Sequence, residues 1–380
     1  MHNIVSYVVV MLVGAAVTMV ADRPARVIAL RVGYTAQPDE RKVHRTETPY
    51  GGGAAMLVGL CVAVVVADAI PSIRSVITSS HEMFGVLLAT GVIFVVGVVD
   101  DFREMSAPAK VAGQFLTASI LYFSGATMYQ LKLPFAGFIV LGPSILPIIT
   151  AVWVFALCNA VNLIDGLDGL AAGIVAIASG TLCLYGLRLE DLGLLPVTNV
   201  GPLIAALTCG ICVGFLRDNF HPAKLFMGDA GSLMLGLLMS ASTMVIGGRT
   251  PPASGVTFFF FAPLLIPVFI LGVPLVDAVW AFIRRTASGQ GFHTPDKNHI
   301  HHRLMRLGHG HRRTVVILWL WTALLCGFVL FPLFRPGFNV FIPLGVAVLL
   351  IALFTWFSPL LNRWTGRGEV ADAPDDHVRT

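Results

Sequence analysis

Long apolar runs separated by short polar stretches recur along the whole chain. An α-helix needs about 20 predominantly apolar residues to cross the hydrocarbon core of a bilayer. Eleven runs approach that length, so the pattern predicts eleven transmembrane helices. Their approximate bounds are residues 4–21, 53–71, 83–99, 109–125, 138–158, 169–187, 199–216, 231–247, 257–283, 315–334 and 338–358. Prolines interrupt the fifth and ninth runs, which are therefore expected to be the least regular helices.

The composition supports a membrane protein. Of 380 residues, 56% are hydrophobic and only 12% are charged, whereas soluble globular proteins carry about 25% charged residues. The sequence therefore predicts an all-α polytopic integral membrane protein. Residues 1–364 are expected to form one transmembrane domain, and the polar stretch 365–380 to be a disordered cytoplasmic tail. The first run lacks the basic leader and cleavage site of a signal peptide, so we expect it to be retained as a helix.

Lysines and arginines lie mainly on one side of the predicted bundle. With the N-terminus outside, 20 of the 25 fall in the cytoplasmic loops and tail. Because short loops rich in Lys and Arg stay in the cytoplasm, the N-terminus is predicted outside and the C-terminus cytoplasmic. Every polar motif described below then falls on the cytoplasmic side, which favours one composite site. The net charge of +4 is small and gives no indication of a nucleic-acid partner.

The stretch from residue 159 to residue 169 has a regular polar pattern. Asparagine or aspartate recurs at every third position, at Asn159, Asn162, Asp165 and Asp168. Residues three apart lie near one another on a helix, so the first of these side chains can be presented together. Gly166 and Gly169 indicate that the helix ends there. Because polar groups at the edge of a membrane segment are costly, we interpret this stretch as the floor of an active site.

Acidic residues also follow or precede other apolar runs. Asp100 and Asp101 are adjacent, which is typical of metal binding or proton transfer; a solvated pair at a helix end is the alternative. Asp229 lies between glycines at a predicted helix start, where it is suited to bind Mg²⁺ with substrate phosphates or to cap the helix. Lys110, at the start of another predicted helix, is a candidate phosphate partner.

Two basic loops are further candidate binding sites. Lys42 and His44 precede a glycine-rich helix start at residues 51–53, a combination that suits an anion; anchoring to acidic lipid headgroups is an equal alternative. The fifth inner loop carries His299, His301, His302 and Arg303. No second pair of ligands has zinc spacing, so this cluster favours pyrophosphate binding over zinc. A solvated basic loop remains the alternative.

In order and spacing, four of these motifs resemble the polyprenyl-phosphate N-acetylhexosamine-1-phosphate transferases, particularly the WecA/TagO branch and more distantly MraY. The motifs are the Asp100–Asp101 pair and the segments 159–169, 226–232 and 299–302. The resemblance covers almost the whole chain and implies eleven helices with the N-terminus outside. It further implies that a UDP-N-acetylhexosamine gives its sugar-1-phosphate to a polyprenyl phosphate, with release of UMP, at the cytoplasmic face of the bacterial inner membrane.

The resemblance also implies roles for individual residues. Asp229 would bind Mg²⁺, with Asn162 as a second ligand and Mn²⁺ as an alternative ion. Asp100, with Asp101, would deprotonate or position the lipid phosphate. Asp168 would contact the uracil, with Asp165 close by. The remaining substrate-binding candidates are Asn159, Lys110, His299, His301, His302, Arg303, Lys42 and His44.

The competing interpretations are a different donor and a different class of protein. Arg303 follows His302, where MraY-type enzymes have an acidic residue, which favours UDP-N-acetylglucosamine over a muramoyl-pentapeptide donor. A secondary transporter would place its acids near the bilayer midplane, whereas these acids lie at one face. If the chain were a scaffold protein, its glycine-and-acid motifs would be unexplained. The sequence leaves open whether the chain forms a homodimer and which envelope polymer it serves.

Overall fold

The computed structural model describes residues 4–36, 48–103, 105–133, 137–249, 310–334 and 345–349. This part of the chain is mostly helical. Its long elements are α1 Ile4–Arg31, α2 Gly52–Ala69, α4 Glu82–Arg103, α5 Ala107–Ser124, α6 Leu146–Ile164, α7 Leu170–Asp191, α8 Gly201–Asn219, α9 Gly228–Gly247 and α10 His311–Phe334. The short helix α3, Pro71–Thr78, joins α2 to α4.

Eight helices of the described chain are long and apolar enough to cross a membrane, namely all of the long helices except α5. The prediction of a polytopic membrane protein is therefore confirmed. The predicted fourth span does form a helix, α5, but Lys110 and Gln114 lower its hydropathy. The ninth predicted span, most of the eleventh and the tail 365–380 lie outside the described residues. The count of eleven and the orientation of the termini therefore stay predictions.

Two short antiparallel hairpins correct the all-α expectation. Strands β1, Thr35–Ala36, and β2, Thr48–Pro49, pair next to the end of α1. Strands β3, Gln130–Leu133, and β4, Gly137–Val140, pair in register from Gln130↔Val140 to Leu133↔Gly137. The predicted fifth span 138–158 therefore begins too early, because apolar residues 138–140 belong to a strand. Its helix, α6, begins instead at Leu146, with Pro147 in the first turn, where proline is tolerated.

Several helices continue beyond their apolar runs. Helix α1 extends to Arg31 through Pro24. Helix α4 ends at Arg103 and so contains Asp100 and Asp101, which lie beyond the predicted span 83–99. Helix α6 runs to Ile164, so both asparagines of the 159–169 stretch are helical. Hydropathy misses these ends because it measures transfer into lipid, whereas a helix can continue into the interface on its own hydrogen bonds.

Helix α9 lies at the centre of the described bundle, buried along almost its whole length. It packs against α2, α4, α6 and α8. Small residues permit the close approaches: a Cβ at Gly97 in α4 would lie 2.4 Å from the Ala230 Cα. In a membrane, where lipid is as apolar as the core, such close packing is a main source of helix association. The position of Asp229 in α9 is thus fixed by its neighbours on several sides.

We predict that Gly97→Ala destabilises the bundle. The added methyl would overlap the α9 backbone, and overpacking of a well-packed core costs about 1–3 kcal/mol. The measurement is the midpoint of thermal unfolding of purified protein in detergent. Gly91→Ala is the matched control on the same helix, because nothing lies within 4 Å of a Cβ there. Equal midpoints for the two variants would show that the α4–α9 contact does not limit stability.

Candidate active site

Four polar side chains from four helices meet at one end of the bundle. The Lys110 Nζ of α5 donates to Asp100 Oδ2 of α4 at 2.5 Å and also to Asp229 Oδ2 of α9. The Asn162 Nδ2 of α6 donates to Asp229 Oδ1 at 2.7 Å and to Ser232 Oγ at 2.9 Å. Helices α4 and α6 end here and helices α5 and α9 begin here. The structure therefore brings together the acids, the lysine and one asparagine that the sequence had singled out.

Asp101 holds the start of α9. Its carboxylate accepts hydrogen bonds from the backbone N–H of Asp229 at 2.8 Å and of Ala230 at 3.2 Å. It also lies where a Cβ at Gly228 would be, 2.5 Å from that position, and Gly228 has a φ of +66°. A carboxylate at a helix N-terminus satisfies free N–H groups and is favoured by the helix dipole. Asp101 thus caps α9 from a different helix.

Tyr34, which the sequence analysis missed, completes the environment of Asp101. Its hydroxyl donates to Asp101 Oδ2 at 2.5 Å. Burial, and then this bond, hold the pKa of Tyr34 above its usual range, so the phenol keeps its proton and acts as a donor. The Asp101 carboxylate therefore accepts hydrogen bonds from three donors. These contacts tie Asp101 to the start of α9, and the predicted catalytic role of Asp101 with Asp100 stays a prediction.

Asp100 has different hydrogen-bond partners from its neighbour Asp101. Besides Lys110, it accepts a hydrogen bond from the Met105 backbone N–H at 2.7 Å. Lys110 lies between two carboxylates, with its side chain 20% exposed, and its predicted contact with a phosphate stays a prediction. The ammonium charge balances part of the negative charge of the cluster. A phosphate approaching Lys110 would share its ammonium with these acids.

The donor set fits a hard divalent cation. Oxygen atoms of Asp229, Asp100 and Ser232 lie around the cluster, and the Asn162 amide can offer its oxygen when its side chain turns. Burial, and then the charges of Asp229, Asp101 and Asp168, raise the pKa of nearby Asp165 to about 8. Such mutual repulsion is relieved by a cation, and Mg²⁺ prefers one or two carboxylates with further oxygen ligands. Asp229 with Asn162 would hold the ion.

The 159–169 stretch divides between two environments. Asn162 joins the cluster, but Asn159 Nδ2 donates to Gln114 Oε1 at 3.0 Å and to the Phe155 carbonyl at 2.7 Å, which ties α6 to α5. Asp168 is buried, and its Oδ2 accepts from the Ala223 backbone N–H at 3.1 Å. It also lies 2.7 Å from the Nδ1 of His221. In this structure, Asp168 therefore faces the loop between α8 and α9.

His221 and His311, which the sequence analysis missed, extend this second environment. Their rings stack with centroids 4.1 Å apart. One ligand atom each from Asp168, His221 and His311 lie within 4.8 Å of one another. Two imidazoles and a carboxylate suit a transition ion such as Zn²⁺ better than Mg²⁺. Neither histidine lies in a sequence motif, which is why only the fold reveals the pair.

The glycine-rich start of α2 differs from the predicted anion site. The N–H groups of Gly51 and Gly52 donate to the Phe226 carbonyl at 3.2 and 2.9 Å, and that of Gly53 donates to the Met227 carbonyl at 3.3 Å. These donors therefore tie α2 to the segment before α9 and are not available to a phosphate. The basic residues Lys42, His44, His299, His301, His302 and Arg303 lie outside the described residues, and their roles stay predictions.

Comparisons with known proteins agree with this architecture. A family model described as glycosyl transferase family 4 matches residues 83–247. The chain is 38% identical over 359 residues to the decaprenyl-phosphate N-acetylglucosaminephosphotransferase of Mycobacterium tuberculosis, covering 93% of this chain and 88% of the relative. It is 35% identical over 318 residues to a probable undecaprenyl-phosphate N-acetylglucosaminyl 1-phosphate transferase of Bacillus subtilis, covering 83% and 81%.

A third relative has a different name. The phospho-N-acetylmuramoyl-pentapeptide-transferase of Desulforudis audaxviator is 34% identical over 263 residues, which cover 63% of this chain and 74% of the relative.

The fold and the site define a polytopic membrane protein with a polar cluster at one end of its bundle. The chain belongs to glycosyl transferase family 4, among the polyprenyl-phosphate N-acetylglucosamine-phosphate transferases and their relatives. The resemblance seen in the motifs is confirmed.

We predict that Mg²⁺ stabilises the protein through Asp229. A ligand that binds the folded state raises the unfolding midpoint, so millimolar MgCl₂ should raise it for the unmodified protein and not for Asp229→Asn. The measurement is thermal unfolding in detergent with MgCl₂ or with EDTA. Asp68→Asn is the control, because Asp68 forms an exposed ion pair with Arg74 at 3.8 Å. An unchanged Mg²⁺ shift in Asp229→Asn would remove this residue from the metal site.

Proposed function

We propose that this protein transfers N-acetylglucosamine-1-phosphate from UDP-N-acetylglucosamine to a polyprenyl phosphate. An oxygen of the acceptor phosphate forms a bond to the β-phosphorus of the donor, and the bond from that phosphorus to the oxygen bridging it to UMP breaks. The products are a polyprenyl diphosphate sugar and UMP. The observation that carries the proposal is the meeting of Asp100, Lys110, Asn162 and Asp229 in a chain whose relatives are named for this chemistry.

The main barrier in this reaction is the approach of two anions. When bound by Asp229 and Asn162, Mg²⁺ would neutralise charge on the donor diphosphate. Lys110 adds a cation at the same place, and its position between Asp100 and Asp229 keeps it aimed at the cluster in the absence of substrate. Pre-arranged charges of this kind stabilise a transition state without reorganisation.

Asp100 is suited to a positioning or proton-accepting role. The second pKa of a phosphate monoester is about 6, so the acceptor is already mostly ionised at neutral pH and needs no strong base. Asp100 fixes Lys110 and is itself fixed by the Met105 backbone N–H. Asp101 acts one step away from the reaction, through the start of α9. The two adjacent acids thus have different tasks because they contact different partners.

The nucleotide is expected to lie toward Asp165 and Asp168. Asp168 is held by the loop between α8 and α9, so contact with a uracil requires its carboxylate to share or exchange the present partners. The phosphate-binding roles of Lys42, His44, His299, His301, His302 and Arg303 belong to this proposal too. With the N-terminus outside, the cluster faces the cytoplasm of a bacterial cell, where nucleotide sugars are made.

The position of the acids favours a transferase over a transporter. The cluster lies at helix ends, whereas transporter sites lie near the bilayer midplane on broken helices. The muramoyl-pentapeptide nucleotide is the second candidate donor, since one relative is named for that substrate. Arg303 in the histidine motif favours the simpler UDP-sugar.

We predict that UMP release requires the sugar donor, the acceptor lipid and Mg²⁺ together. Purified protein should release UMP only when UDP-N-acetylglucosamine, a polyprenyl phosphate and Mg²⁺ are all present, and EDTA should stop the release. The measurement is UMP by a coupled assay, with the lipid product identified by mass. Release from the muramoyl-pentapeptide nucleotide alone would keep the mechanism and change the donor. No release with either donor would refute the proposed reaction.

We predict that Tyr34→Phe lowers kcat by about tenfold. A hydrogen bond to a charged group contributes about 1.5–3 kcal/mol, and Asp101 keeps its two backbone donors, so the loss should lie near the lower value, which corresponds to tenfold. The KM for UDP-N-acetylglucosamine should change by less than about twofold, because Tyr34 acts on Asp229 through Asp101. Tyr122→Phe, at the other end of the bundle, is the control. An unchanged kcat would show that Asp229 is positioned without Tyr34.

A further inference from the structure

A cluster of two histidines and one aspartate lies where three segments of the chain meet. Asp168 follows the end of α6, His221 belongs to the loop between α8 and α9, and His311 is the first residue of α10. One ligand atom from each residue lies within 4.8 Å of the other two. Asp168 is buried and both histidines are half-buried, so the cluster is set into the described bundle.

Hydrogen bonds that do not involve the imidazole hold the loop that carries His221. The Asn219 side chain, at the end of α8, accepts from the Gly169 backbone N–H at 2.9 Å. The Ala223 backbone N–H, on the other side of His221, donates to Asp168 Oδ2 at 3.1 Å. The loop is therefore joined on both sides of His221 to the segment after α6, which keeps the imidazole next to the Asp168 carboxylate.

The start of α10 is fixed against the same loop. The Arg312 Nε donates to the His221 carbonyl at 2.9 Å. Further along α10, the Trp319 ring lies against Phe220, with centroids 5.6 Å apart. Trp319 also packs closely on α7, where a Cβ at Gly173 would overlap its ring. These contacts set the position of α10, and so of its first residue, relative to the loop.

The donor set and its spacing suit a transition ion. Zn²⁺ is commonly bound by three protein groups and a water, at about 2.0–2.2 Å from nitrogen or oxygen, so tetrahedral ligand atoms lie about 3.3–3.5 Å apart. The Asp168 Oδ2 and His221 Nδ1 atoms are 2.7 Å apart, and no pair in the cluster is separated by more than 4.8 Å. Side-chain shifts on the order of 1 Å therefore bring the three atoms to the spacing that Zn²⁺ requires.

We propose that Asp168, His221 and His311 bind a transition-metal ion such as Zn²⁺, and that the bound ion competes with the nucleotide donor; this second part rests on the proposed function. The ion replaces the hydrogen bond between Asp168 and His221, and a carboxylate that coordinates an ion is not available to a uracil. Mg²⁺ prefers oxygen ligands, whereas imidazoles favour Zn²⁺, so this site and the Asp229 cluster select different ions.

Binding is tested with Zn²⁺ alone, without any substrate. An ion that joins three segments of the folded chain raises the unfolding midpoint, so micromolar free Zn²⁺ should raise it in detergent. The shift should be lost in His221→Asn and in His311→Gln, because removal of a ligand lowers metal affinity by at least about tenfold. His81→Asn is the matched control and should keep the shift, since His81 is exposed and precedes α4. The midpoint without Zn²⁺ shows whether each variant is folded, and either ligand variant suffices.

Two further variants locate the ion. Asp229→Asn should keep the Zn²⁺ shift, because Asp229 belongs to the cluster with Lys110 and Asn162. His301→Ala, in the histidine motif, should keep it too. Loss of the shift in a folded Asp229→Asn or His301→Ala variant would place the Zn²⁺ elsewhere and overturn the proposal. A full shift in the folded His221→Asn and His311→Gln variants would also overturn it.

Kinetics test the competition with the donor. Mutually exclusive ligands multiply the KM by one plus the ratio of ion concentration to its Kd. With Mg²⁺ in millimolar excess, free Zn²⁺ at about four times its Kd should therefore raise the KM for UDP-N-acetylglucosamine about fivefold and leave kcat unchanged. In His311→Gln the same Zn²⁺ should change the KM by less than about twofold. A lower kcat with an unchanged KM would overturn the competition.

The two measurements separate this inference from the proposed function. Normal UMP release by a protein that shows no Zn²⁺ shift would overturn the ion site and leave the reaction standing. A Zn²⁺ shift that is lost in the ligand variants, in a protein that releases no UMP, would support the ion site and refute the reaction.

Discussion

The candidate site depends on one capping interaction, the contact of Asp101 with the start of α9. Helix α9 is buried along almost its whole length, so the free N–H groups at its start need a partner within the protein. Asp101 supplies that partner from α4, and Tyr34 fixes Asp101 from the segment after α1. Because Asp229 is the second residue of α9, the same contact sets where its carboxylate lies. Packing of Gly97 against Ala230 holds the two helices at the distance this contact requires.

The electrostatics of the cluster follow from this arrangement. Helix ends from different parts of the chain bring several acids to one place, and Lys110 is the cation that balances them in the described structure. Burial first, and then the charges of Asp229, Asp101 and Asp168, raise the pKa of Asp165. A divalent cation and two phosphate-bearing substrates would change that balance, and all three belong to the proposed reaction. The proposed reaction therefore brings a divalent cation to a place where the fold holds several carboxylates close together.

Adjacent residues of α4 contact different parts of the site. Asp100 contacts Lys110, whereas Asp101 contacts Tyr34 and the start of α9. The two aspartates therefore have different hydrogen-bond partners. Their neighbouring positions in the sequence give no indication that they face different partners.

The sequence by itself determined the class of the fold and most members of the site. Apolar runs reveal membrane helices because transfer into lipid depends on local composition, and the motifs at 100–101, 159–169 and 226–232 revealed the acids. Tertiary structure alone decided which of these side chains contact one another. The partners of Asp101 lie 67 and 128 residues away along the chain, and His221 meets Asp168 across 53 residues. Local patterns contain no information on such contacts, because they depend on which helices pack together and how closely.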